Sequence, residues 1–161
     1  MRKVYRTAGL VGAAAMTAAA LAGCSAAQAS SKTSITATAA YVQVPSSTGK
    51  ATVGYLDIRN NGPADTLESV TTSAGGTVEF RAPAHKDVSP VVMHTISSVP
   101  VPSEATTQLV PNSYHLLITG EGALHDGKDI TLTLKFAHAG SITVLALVTN
   151  PQNGGSSYFL N

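Results

Sequence analysis

The sequence predicts an all-β fold, an antiparallel sandwich or barrel, and three observations carry that reading. From about Ala40 onward, short apolar runs alternate with turn residues at regular spacing. The run "ITLTLKF" has period two: Ile130, Leu132, Leu134 and Phe136 share one face, and Thr131, Thr133 and Lys135 the other. Beyond residue 24, no stretch sustains a capped apolar stripe of helical period. A domain of roughly 120 residues suffices for one buried core.

Taken in order, the expected strands are 40–44, 52–60, 66–72, 77–81, 91–97, 106–110, 113–119, 129–137 and 141–149. Turn chemistry divides them: N-N-G-P at 60–63, A-G-G at 74–76, P-S-E at 102–104, P-N-S at 111–113, H-D-G-K at 125–128 and A-H-A-G at 137–140. The β-domain is thus expected over 40–150. The tail 151–161, "PQNGGSSYFLN", opens on a proline and carries two glycines, so it reads as a flexible end.

The first 23 residues read as a secretory leader. Arg2, Lys3 and Arg6 form a positive start, and Thr7 to Ala20 is an uncharged run rich in Ala and Gly, too short and too poor in large side chains for a membrane span. Leu21-Ala22-Gly23-Cys24 follows, and L-A-G-C resembles the bacterial lipobox, whose cysteine is lipidated after cleavage just before it. That resemblance implies an acyl anchor on Cys24, holding the domain to the outer face of the cell membrane without spanning it. Residues 24–39, small and polar, then read as a flexible tether. Cys24 is the only cysteine, so no disulfide forms within the chain.

Charge excludes one class of partner. The whole chain has 10 Lys and Arg against 9 Asp and Glu; without Arg2, Lys3 and Arg6 the balance is 7 against 9. A net −2 domain has no basic footprint for nucleic acid. Catalysis is not expected either. There is no G-x-S-x-G elbow, the only thiol is the lipid site, and the glycines sit in turns rather than ahead of a helix as phosphate loops require. Metal binding is better supplied. All five histidines lie past the leader, and Met93, directly before His94, is the only methionine left after cleavage. A thioether beside imidazoles suits Cu(I) better than zinc, calcium or magnesium. Without a cysteine ligand a blue-copper electron-transfer centre is not available, which points to storage or transfer of the ion.

Two long segments carry a family likeness. "ATVGYLDIRNNGPADTLESVTTSAGGTVEF" and "VPNSYHLLITGEGALHDGKDITLTLKFAHAGSITV" resemble the opening and closing halves of the PCu(A)C-type extracytoplasmic copper chaperones, through R-N-x-G, A-G-x-x-V-E, Y-H-L and L-x-F-x-x-A-G. The resemblance covers about 110 residues. It implies a cupredoxin-like antiparallel Greek-key β-sandwich that holds Cu(I) with two histidines and two methionines. Residue by residue, the implied ligands Met93 and His115 are kept, with the family's 21 intervening residues between them. The other two positions fall on Arg81 in "VEFR" and Leu117 in "HLL". His85 in "APAHKD" and His94 are the candidate substitutes; His94 needs a bulge, because adjacent strand residues point opposite ways. His125 and His138, in turns beside glycine, read as surface residues, and Glu79 stands on the face of Arg81 to pair with it.

The expectation is therefore a membrane-anchored lipoprotein that binds Cu(I) at Met93, His115, His85 and His94 and delivers it to an acceptor protein in the envelope. The competing expectation is a relative that keeps the fold, has lost the metal and contacts a protein partner. An envelope hydrolase is the weakest of the three.

Overall fold

The computed structural model describes residues 34–47, 49–84 and 91–153. Ten strands make up the domain: β1 (Ile35–Gln43), β2 (Thr52–Asn60), β3 (Asp65–Thr72), β4 (Thr77–Pro83), β5 (Met93–Ile96), β6 (Val99–Val101), β7 (Ala105–Leu109), β8 (His115–Thr119), β9 (Asp129–Phe136) and β10 (Gly140–Thr149). A single 3-10 turn, Pro151–Asn153, follows them. The strand order is β5-β4-β8-β2-β1-β10-β9-β3-β6, with β7 also on β2. Residues 52–54 of β2 pair with β8 and residues 56–60 with β7, so β7 and β8 lie end to end along one edge of β2. Every ladder is antiparallel except β1 with β10, which is parallel.

Inward alternation builds the core. Leu132, Leu134 and Phe136 from β9 meet Leu56 and Ile58 from β2, Leu116 and Ile118 from β8, Leu67 from β3 and Leu109 from β7, all almost fully buried in one cluster. The outer faces carry the Thr, Lys and Ser positions that the period-two pattern sent to water.

Two elements differ from expectation. β1 begins at Ile35, inside the segment read as tether, because Ile35 is buried and Ile35–Thr38 pair with Asn60–Asp57. Its small residues offer little apolar signal. A one-residue bulge between Thr38 and Tyr41, with Ala39 at φ 50°, resets the alternation so that Ala40 and Val42 both face the core. The second is β6, a strand of three residues containing Pro100, which pairs with β3 at the margin of the sheet. A proline is tolerated there because an edge strand leaves one row of N–H groups unused.

Asn60, in the N-N-G-P break, is fully buried and ties three segments together. Its amide Nδ2 donates to the carbonyls of Pro63 at 2.7 Å and Pro102 at 3.2 Å, while its Oδ1 accepts from the Gly62 N–H at 2.9 Å. This fixes the β2–β3 turn against the chain leaving β6.

Candidate metal site on the outer face of β5, β4 and β8

Register decides which side chains meet. β4 lies between β5 and β8, and Arg81 is directly opposite Thr95 on β5 and His115 on β8. Met93 is opposite Pro83, and Leu117 is opposite Glu79. Directly paired residues share a face, as do residues two apart on one strand. Met93, Thr95, Glu79, Arg81, His115 and Leu117 therefore share one outer face. Phe80, Ala82, Leu116 and Ile118, the alternate positions, are buried beneath them. His94 pairs with Ala82 and follows that other face of β5, which runs from Met93 to Ile96 without a register shift. The bulge that would bring His94 beside Met93 is absent from that ladder. His85 lies outside the described residues, as does Cys24.

His115 is held by the turn before it. Asn112 takes the left-handed conformation, φ 61°, which asparagine tolerates better than most residues. The Ser113 N–H donates to the Val110 carbonyl at 3.1 Å, which turns the Ser113 carbonyl back towards the strand. His115 Nδ1 lies 3.1 Å from that carbonyl. A carbonyl only accepts, so Nδ1 carries a proton, and in the neutral ring the lone pair is then on Nε2. This is how a ligating imidazole is usually oriented by its other nitrogen.

Next to His115, the Tyr55 ring lies 6.1 Å away between centroids, tilted by 46°, and the Tyr41 ring lies 5.0 Å from that of Tyr55, tilted by 38°. Tyr55 points to the outer face yet is only 7% exposed, because its two ring neighbours cover it. Burial holds both phenols above their ordinary pKa, with Tyr41 adding to the effect on Tyr55. Both remain neutral at physiological pH. Neither tyrosine is singled out by sequence pattern; the pair forms because Tyr41 is opposite Tyr55 just past the β1 bulge.

Arg81 occupies the centre of the face. Its Nη1 donates to Thr95 Oγ1 at 2.6 Å and its Nη2 to the Met93 carbonyl at 3.1 Å. The Thr95 hydroxyl donates in turn to Glu79 Oε2 at 3.3 Å. Glu79 lies 4.0 Å from Nη1 and is itself half exposed, so the expected ion pair is present but loose. Arg81 thus staples β4 to β5 and fixes the backbone of Met93.

Elsewhere, sequence reasoning passed over one arrangement. Asp65, at the start of β3, is buried, and its Oδ1 accepts from the N–H groups of Thr66 at 2.7 Å and His138 at 3.0 Å. Its Oδ2 accepts from the Ala139 N–H at 2.8 Å, and the exposed His138 ring stands 3.1 Å from Oδ1. Burial pushes this carboxyl up, but the hydrogen bonds outweigh it and leave the group below its ordinary pKa. His138 is on the surface, as expected, with a structural partner that its turn motif did not reveal. Among the described residues no three His, Cys, Asp or Glu side chains gather into a metal-holding group.

The family described as "Putative lipoprotein LpqE-like" matches residues 35–148, most of the chain. The chain belongs to that family. No curated protein matches this LpqE-like chain. Solved structures do. The "Copper-bound PCuAC domain from PmoF2" is 18% identical, covers 73% of this chain and 94% of its own, and superimposes with a TM-score of 0.62. The "Apo PCuAC domain from PmoF1" is 22% identical, with coverage of 73% and 95% and a TM-score of 0.61. The Cu(I) form of DR1885 from Deinococcus radiodurans is 19% identical, with coverage of 78% and 85% and a TM-score of 0.56. These likenesses establish the fold: the LpqE-like chain is a cupredoxin-like β-sandwich of the PCuAC type, as its motifs implied.

Proposed function

We propose that this chain is an extracytoplasmic lipoprotein that binds Cu(I) on the outer face of β5, β4 and β8 and delivers it to an acceptor protein in the envelope. The observation that carries the reading is the shared face of Met93 and His115, on either side of Arg81, with His115 Nε2 free to coordinate. Met93 supplies a thioether and His115 a neutral imidazole, a donor pair that favours a soft monovalent ion. His85, four residues beyond Arg81 in the sequence, is the third donor of this proposal. His94 is left out of the set, because the ladder sends it to the other face. The family description as a lipoprotein, the fold shared with copper-bound PCuAC domains and the L-A-G-C sequence at Cys24 all support the reading. Delivery requires only ligand exchange. The ion keeps its charge, and each protein bond it leaves is replaced by one from the acceptor.

The test is an anaerobic Cu(I) titration of the full chain carrying Cys24→Ser, in competition with a chromogenic chelator. One stoichiometric site is expected. Met93→Leu combined with His115→Ala should abolish it. Equal and poor competition by both proteins would overturn the metal reading. The second reading, a protein-interaction module without metal, has one observation in its favour: Arg81 and Leu117 stand where the family resemblance puts two further ligands. Crosslinking of the anchored protein in its own membrane would then identify the partner.

A further inference from the structure

We infer that the copper site is completed by an external thiolate, which Arg81 holds in place. The inference rests on the proposed binding of Cu(I) by Met93 and His115 and adds the chemistry of the missing ligand. Arg81 has five N–H donors. Two meet Thr95 Oγ1 and the Met93 carbonyl, and among the described residues no other acceptor meets the rest within hydrogen-bond distance; Glu79 stands off at 4.0 Å. The guanidinium is partly open to solvent, lies between the strands bearing Met93 and His115, and is directly opposite His115 on β4. A cation placed between two metal ligands opposes a bare Cu⁺ ion. It favours a complex in which an anion bridges the two, bonded to copper through its lone pair and to Arg81 through N–H groups.

The charge count selects the same ligand. Arg81 and Glu79 cancel, both tyrosines stay neutral, and a Cu⁺ ion on uncharged protein ligands leaves the face at +1. One monoanion brings it to zero. Copper(I) takes soft donors, and among common biological anions the thiolate is the soft one. Under the lipoprotein proposal the chain's single cysteine, Cys24 in L-A-G-C, has its sulfur committed to the acyl anchor, so the thiolate comes from outside the chain. The incoming thiol gives its proton to solvent and its sulfur lone pair to copper; no electron changes hands. Leu117, apolar on the same face, leaves that coordination position to the external sulfur.

Equilibrium dialysis tests this on the full chain with Cys24→Ser, loaded anaerobically with one equivalent of Cu(I) in chloride-free buffer against radiolabelled cysteine. One cysteine per bound copper should be retained, and none without copper. Arg81→Leu should keep the copper while weakening thiol retention roughly tenfold or more, the value of a lost charge-assisted hydrogen bond. Because Arg81 also staples β5, Glu79→Gln is the second variant: it leaves the guanidinium less neutralised and should tighten retention. Bound copper that retains no cysteine when cysteine is supplied, equal retention by Arg81→Leu, or weaker retention by Glu79→Gln would each overturn the inference. Displacement of the cysteine by chloride would do the same and name a halide as the anion. No copper binding with or without cysteine would overturn the parent proposal as well, while copper binding that cysteine strengthens supports both. Labelled Gly-Cys-Gly run in parallel separates the sources: retention of free cysteine assigns a small-molecule thiol, and retention of the peptide alone assigns an acceptor protein's cysteine.

Discussion

Asp65 shows how a single side chain organises a turn that its sequence does not advertise. Three backbone N–H groups converge on its carboxylate from Thr66, His138 and Ala139, which locks the β9–β10 hairpin onto the start of β3. Asp65→Asn keeps the volume but turns an amide donor towards those N–H groups, and should cost about 2 kcal/mol in a denaturant titration. The sign of its pH dependence follows from the lowered pKa. The carboxylate stabilises the fold fully above its unfolded-state pKa, and that contribution is lost as pH falls through the lower folded-state value. The Asn variant should therefore lose part of the acid limb seen in the wild-type stability profile. An unchanged limb would show that other carboxylates control it.

At the level of strands, the β3–β4 turn sets where the candidate ligands fall. Gly76, at φ 82°, packs directly on β8's exit: a Cβ there would sit 2.5 Å from the Thr119 carbonyl oxygen and 2.7 Å from the Glu121 nitrogen. Both atoms are backbone, so nothing can rotate away. Gly76→Ala should destabilise the domain by about 2 kcal/mol and, by pushing β4 from β8, disturb the alignment of Arg81 with His115. Thermal melts of the variant and its Cu(I) titration check the two effects separately. This constraint was legible as the A-G-G punctuation, and β9 was legible from its alternation. The start of β1 was not, because T-A-T-A carries no large apolar residue, and neither was β6, three residues around a proline. The candidate site divides the same way. The Met93 to His115 spacing could be read along the chain, and so could the opposite pointing of His94. That Arg81 lies between the two candidate ligands and bonds Thr95 is a product of pairing across strands far apart in sequence.

For the whole molecule, the described domain contains no helix long and apolar enough to cross a membrane. Under the lipoprotein proposal, attachment rests on Cys24 alone. Cys24→Ala should move the protein from the membrane fraction to the soluble fraction. The wild type should resist high-salt washing and yield only to detergent, because acyl chains and not surface charge hold it. Release of the wild type by salt would sink the anchor.

The stack of Tyr41, Tyr55 and His115 has a consequence for observation. The chain contains no tryptophan, so its ultraviolet emission comes from tyrosine alone, and Tyr55 is shielded from water with its ring 6.1 Å from the imidazole. A heavy ion held at that imidazole would draw off the excitation of Tyr55 before it is emitted. Under the copper proposal the domain carries its own optical gauge of loading, and Tyr55→Phe should silence most of the signal without emptying the site.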